Sequence, residues 1–162
     1  MSARGPTPQR PSLAGGYGIE DQTGPPGAEL PWATVADWLT RARTYWLCTV
    51  RPDGRPHAKP LWALWHDEAL IFSTHPESIS GRNLRADPRA TVHLEGRNVA
   101  VVEGDVQWLS DPPDGFVAAY EAKYRWRIDP ADPTGALLAL RPRSVLSWDE
   151  QRMPETMTRW SF

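Results

Sequence analysis

A mainly β fold, a small antiparallel barrel with helices on its flanks, is what this sequence predicts, and three observations predict it. Between Thr49 and Glu95, four apolar runs of strand length follow one another around only one short helical stretch. The junctions carry turn chemistry: Arg51-Pro52-Asp53-Gly54 puts proline where φ near −65° is wanted and glycine where φ becomes positive. Beyond this stretch the strand pattern continues in Val99–Leu109, Leu137–Leu140 and Ser144–Trp148.

The elements follow in order. Residues 1–30 hold five prolines and six glycines with no apolar periodicity, so they are expected to form a flexible tail outside a domain spanning 31–162. From Pro31, residues Trp32, Val35, Leu39 and Ala42 recur at helical spacing, which predicts an amphipathic helix packed on the barrel. Tyr45–Arg51 is the first strand, and the Pro-Asp-Gly turn folds His57–His66 back on it. Pro60 cannot donate to a ladder, so this second strand belongs at an edge, at a bulge, or against something other than a strand. His66-Asp67-Glu68 reverses the chain into a third strand, Leu70–Thr74. A Ser-rich loop leads to a short helix at Arg82–Arg85, closed by Asp87-Pro88, and Thr91–Glu95 returns as the fourth strand. Val99–Leu109 is long, and Gly104 marks a bulge or a close backbone approach within it. Asp111-Pro112-Pro113-Asp114 starts a helix over Gly115–Tyr124, and Pro142 separates two closing strands.

Composition narrows the classes of function. With 162 residues the chain suits one domain, and a net charge of −2 lacks the broad positive field that nucleic acid or an anionic membrane would need. No apolar run approaches the ~20 residues of a membrane span, and the N-terminus has no apolar signal-peptide region, so a cytoplasmic protein is expected. The single cysteine, Cys48, sits mid-strand and reads as an inert thiol. Histidines 57, 66, 75 and 93 lack metal-site spacing, and no metal is expected. No nucleophile motif occurs, so no catalytic side chain is assigned. Nine tryptophans fill either a core and a subunit interface or the walls around a flat, conjugated ligand.

Taken in order, T-V-R-P-D-G-R-P-H, P-L-W-A-L-W, F-S-T and S-x-S-G-R-N-L-R-A-D-P-R-A-T-V-H-L resemble the pyridoxamine-phosphate-oxidase-like, flavin-binding split-barrel superfamily over roughly residues 32 to 150. The resemblance implies a six-stranded antiparallel split β-barrel, a homodimer with clefts across its interface, and FMN or the deazaflavin coenzyme F-420 as cofactor. The backbone of Lys59, Pro60, Leu61 and Trp62 would then run along the flavin ring, and Arg125–Thr134 would form a rim on the substrate side. Two departures stand out: a second basic residue carried by some relatives is replaced here by Leu64, and an S-R-K triplet by Ser78-Ile79-Ser80.

The loop from Thr74 to Asn83 is the expected anion site. Ser73, Thr74, Ser78 and Ser80 supply hydroxyls, the helix start offers free N–H groups, and Arg82 offers a charged fork beside Asn83. The other reading of the same residues is a capped helix, with Ser78 or Ser80 as N-cap and the arginine in solvent. Lys59 reads equally as a cofactor contact or as an exposed lysine on an edge strand. The leading expectation is an oxidoreductase moving a hydride to or from a small organic substrate, because such chemistry resides in the cofactor while the protein supplies position and exclusion of water. A non-catalytic protein holding a flavin, a deazaflavin or haem is the alternative. Pyridoxamine-phosphate oxidation is third, since residues 149–162 do not resemble the substrate-binding end of those enzymes.

Overall fold

A computed structural model of the chain describes residues 5–11, 29–132 and 134–162. Its elements are β1 (Thr7–Gln9), α1 (Trp32–Arg41), β2 (Tyr45–Val50), β3 (Pro56–Leu61), β4 (Ala63–His66), β5 (Ala69–Thr74), α2 (Ile79–Ala86), β6 (Arg89–Leu94), β7 (Asn98–Leu109), α3 (Phe116–Tyr124), β8 (Ala136–Asp149), α4 (Met153–Thr156) and β9 (Thr158–Ser161). All strand pairs are antiparallel, in the order β1-β9-β8-β7-β6-β2-β3, while β4 pairs with β5 and β5 with β8. Because β3 and β4 are one run bent at Trp62, that run carries the path from β3 through β4 and β5 back to β8. The barrel is split there, and β2, the β3–β4 run, β5, β6, β7 and β8 are its six staves.

The predicted turns form as their residues require. Gly54 has φ of +82° and donates to the Arg51 carbonyl at 2.8 Å, closing the first hairpin. Asp67 and Glu68 both take positive φ, 48° and 57°, to make the two-residue turn between β4 and β5. Gly104 meets both halves of its expectation. The ladder with β8 shifts between Glu103 and Gly104, and a Cβ at Gly104 would lie 2.0 Å from the Arg141 carbonyl oxygen.

Three expectations are corrected. The strand expected over His57–His66 is two, since Leu61 ends the ladder with β2 and Ala63 begins the one with β5. The two closing strands are one, β8, running through Pro142, whose missing N–H falls opposite Gly104 where the bulge already interrupts pairing. Within the N-terminal stretch expected to be a flexible tail, Thr7–Gln9 pairs with β9 from Thr7 against Ser161 to Gln9 against Arg159. Its three residues are exposed and carry no apolar signal, so backbone pairing along the β9 edge is what holds them. Residues 12–28 of that stretch lie outside the described residues.

Two apolar layers hold these staves. The barrel interior is filled by Tyr45, Leu47, Leu70, Phe72, Val92 and Leu138, capped by Val35 and Leu39 of α1. A second layer lies under α3, where Phe116, Tyr120 and Tyr124 cover Leu64, Ile71 and Leu137. The β5 strand is covered on both faces, which is why its sequence is a continuous apolar run. In β2, by contrast, Tyr45, Leu47 and Thr49 are buried while Trp46, Cys48 and Val50 alternate onto a face that the described residues do not cover fully.

Candidate cofactor site at the start of α2

The end of β5 and the start of α2 make a compact polar corner. Ser78 is the N-cap, extended at φ −65° and ψ 164°, and its Oγ accepts from the Gly81 N–H at 3.1 Å. Gly81 packs against its own loop: a Cβ there would lie 2.4 Å from the Pro76 carbonyl oxygen and 2.5 Å from that of His75. The first turn of α2 contains no acidic residue, so the positive end of its dipole is uncompensated from within the helix. Asn83 anchors the helix to the barrel by donating through Nδ2 to Thr49 Oγ1 at 2.9 Å, both residues being buried.

Lys59 reaches this corner from the edge strand β3. Its Nζ donates to Thr74 Oγ1 at 2.9 Å, and that oxygen lies 3.1 Å from Ser78 Oγ, so lysine, threonine and serine form one chain ending on the helix cap. Burial holds the lysine below its ordinary pKa. No carboxylate pairs with it among the described residues, and Thr74 is its one acceptor there. An ammonium has three donors, so two remain for something else. Nearby, His57 is held below its usual value, first by burial and then by the charges of Arg51 and Lys59, which marks this side of β3 as electropositive.

The residues singled out in the sequence fall into two groups. Lys59, Thr74 and Ser78 are joined, and Asn83 supports them from beneath. Ser80 is buried, and its Oγ is the one enclosed side-chain polar atom without a partner among the described residues. The others stand apart. Ser73 faces Gly135 across the strand from Thr74, Pro60 is exposed opposite Trp46, and Leu61 packs on the barrel core. Arg82 is exposed, and its guanidinium donates to the Glu77 carbonyl. The ring of Trp62 lies flat on Tyr124, with centroids 4.8 Å apart and planes 9° from parallel.

Sequence reasoning did not single out Thr49, nor did it group Lys123 with Tyr45 and Ala63. That ammonium donates to the Thr40 carbonyl at 2.9 Å, to Tyr45 Oη at 2.9 Å and to the Ala63 carbonyl at 3.2 Å, and burial lowers its pKa to about 8. Tyr124 Oη accepts from the Ala63 N–H at 3.1 Å and donates to the Ala63 carbonyl at 2.8 Å. Spacing in the sequence does not say what Lys123 touches.

A barrel split along one stave, with a half-buried lysine against a capped helix start, is the arrangement these residues build. The chain belongs to the pyridoxamine 5'-phosphate oxidase family, whose model matches residues 32–149. It is 27% identical over 118 residues to a pyridoxine/pyridoxamine 5'-phosphate oxidase of Rhodopseudomonas palustris strain TIE-1, covering 59% of this chain and 56% of the relative. The chain thus spans about half the length of the curated relatives it matches. Among solved structures it is similar to an F420 reductase, at 26% identity and a TM-score of 0.57 over 67% of this chain and 93% of that one. It also shares its fold with a pyridoxamine 5'-phosphate oxidase-related, FMN-binding protein from Nostoc punctiforme, at 23% identity and a TM-score of 0.58 over 83% and 91% of the two chains.

Among the described residues no helix is long and apolar enough to cross a membrane. Nor does any group of three histidine, cysteine or carboxylate side chains there converge to hold a metal.

Proposed function

We propose that the protein is an oxidoreductase that takes FMN or coenzyme F-420 at the Lys59–Thr74–Ser78 corner and transfers a hydride to or from a small organic substrate. The observation that carries this reading is Lys59, a half-buried ammonium that has, among the described residues, no carboxylate partner and one protein acceptor, placed beside the start of α2. A phosphate fits such a corner, since it accepts several charge-assisted hydrogen bonds and is favoured by the helix dipole. Lys59 would hold its charge, Thr74 and Ser78 would offer hydroxyls, and Asn83 would keep α2 in place through Thr49. The cofactor supplies the hydride chemistry. The role of the chain is to bind it, orient it and exclude water.

The same reading makes the protein a homodimer. The outer sheet face presents Trp46, Val101, Leu146 and Trp148 half-covered, with Val50 47% exposed. A depression of about 530 Å³ opens there beside Cys48, Thr91 and Ser144 and does not reach Lys59. A second copy would bury this face.

The test is an absorption spectrum of the purified protein, followed by titration with FMN, F-420 and riboflavin. One phosphate-bearing cofactor is expected to bind well above riboflavin and to be reduced or reoxidised with a small organic partner, pyridoxamine phosphate included among the donors tried. Binding without turnover by any acceptor would make the protein a carrier. Equal binding of FMN and riboflavin would remove the phosphate from the Lys59 corner.

A further inference from the structure

Among the described residues β1 is the last strand on its side of the sheet, paired only with β9, and its three side chains are exposed. Alternate residues of an antiparallel strand turn their backbone N–H and carbonyl to opposite edges. In β9 the Phe162 N–H donates to the Arg143 carbonyl of β8 at 3.1 Å, so Phe162, Trp160 and Thr158 turn to β8. Arg159 and Ser161 therefore turn to β1, where their partners are Gln9 and Thr7.

Prolines mark the other edge of β1. Pro8, opposite Trp160, turns its backbone outward, and there it has no N–H to offer. Pro6 shares that parity, while Pro11 falls on the inward one, beyond the end of the ladder at Gln9. Prolines thus stand where a donor would invite another strand and are absent from positions 7 and 9, which donate to β9. Arg10 pins the segment from its far end: it donates to the Glu155 carbonyl at 3.4 Å and lies 3.7 Å from the Glu29 carboxylate.

Left bare, β9 would present the N–H and carbonyl groups of Arg159 and Ser161 as a template for a further strand. A second copy carries a strand that fits, its own β9, because an edge paired antiparallel with its copy is a two-fold contact. That contact would lie apart from the outer face of Trp46, Val101, Leu146 and Trp148, so together the two would link dimers to one another.

We propose that residues 6–9 are a stop on the sheet, which occupies the β9 edge in place of a second copy's β9 and presents a proline-blocked edge of its own.

The test uses the full chain, with mass followed by light scattering over about a hundredfold range of concentration and backbone N–H exchange followed by NMR. Wild type should level off at a fixed mass, with the Arg159 and Ser161 N–H groups protected. Thr7→Pro/Gln9→Pro removes both inward donors. Those two N–H groups should then exchange at least about tenfold faster in dilute protein, and the mass should climb past the wild-type plateau as concentration rises. Pro6→Thr/Pro8→Thr keeps the inward donors and adds outward ones, so its mass should climb too, with Arg159 and Ser161 still protected. Adding Arg159→Pro to the Thr7→Pro/Gln9→Pro variant removes a donor on the side away from β8 and should return the mass to the plateau. Circular dichroism checks that each variant is folded, and Gln9→Pro alone carries the test if the double variant is not.

A wild-type plateau in either variant expected to climb overturns the proposal. So does free exchange of Arg159 and Ser161 in wild type, which would mean that β1 does not cover the edge. Growth undiminished by Arg159→Pro would place the contact away from β9 and overturn it as well.

Discussion

Lys123 and Lys59 are the two half-buried lysines of this barrel, both without a carboxylate partner among the described residues and both pushed below the ordinary lysine value by burial. What separates them is the count of acceptors. Lys123 has three, from the end of α1, from β2 and from β4, so every donor it owns is used inside the protein. Lys59 has one, a threonine hydroxyl already linked to a helix cap. A desolvated charge whose donors are all satisfied is a fastener. One left with unspent donors at a surface corner is poised for an anion, and chemistry alone would not tell the two apart.

Removing each lysine should separate them. Lys123→Met leaves the Thr40 carbonyl without its partner and unties α3 from the split in the barrel, so it should destabilise the fold by about 2 kcal/mol in urea unfolding. The same residue predicts a pH dependence. Because its pKa is about 8 in the fold against an ordinary 10.5, the unfolded chain binds more protons between those values, and the Lys123 contribution to stability rises with pH through that window. The stability gap between the wild-type chain and Lys123→Met should therefore widen in favour of wild type from about pH 8 upward. A gap that stays flat or narrows across an alkaline series would show that Lys123 is not the desolvated cation its contacts make it.

Lys59→Met should do the reverse. It deletes one hydrogen bond from a surface corner, so stability should move by less than about 1 kcal/mol. Losing a charge-assisted contact to phosphate costs about 1.5–3 kcal/mol, so FMN or F-420 affinity should fall roughly ten- to a hundredfold, with riboflavin losing much less. If Lys59→Met destabilises the fold by about 2 kcal/mol and leaves cofactor affinity intact, the two lysines have been assigned the wrong way round.

The same contrast marks what was legible in the sequence. Local chemistry was readable: the Pro-Asp-Gly hairpin, the bulge at Gly104, and Ser78 as a helix cap are each set by residues within a few positions. The break at Trp62 was not, because the residue that binds Ala63, where the second ladder begins, is Tyr124, 61 residues further on. Pro142 misled for a related reason, since only its partner Gly104 on β7 shows that the proline sits at a gap in pairing. In the site, the sequence names the residues and does not show how they group. Lys59, Thr74 and Ser78 meet because β3 and β5 bring them together, whereas Ser73 faces across its strand and Trp62 turns to α3.

Arg82 is where that difference gives its smallest and most instructive effect. In the sequence it is the obvious phosphate ligand, one residue after the S-x-S-G string and long enough to reach back. In the fold it stands on the exposed side of α2, its guanidinium donates to the Glu77 carbonyl, and the Glu77 carboxylate is held by Arg85 at 2.7 Å. It therefore ties down the loop from outside, in high dielectric, where a single contact is worth well under 1 kcal/mol. Arg82→Ala should change unfolding free energy by less than about 0.5 kcal/mol and FMN or F-420 affinity by less than about threefold, and FMN and riboflavin should respond alike. Isothermal titration of the three ligands into Arg82→Ala and Lys59→Met side by side reads the comparison directly. A tenfold loss confined to the phosphate-bearing ligands in Arg82→Ala would move the phosphate to the outer side of α2. Lys59 would then be the bystander, and its unused donors would need another explanation.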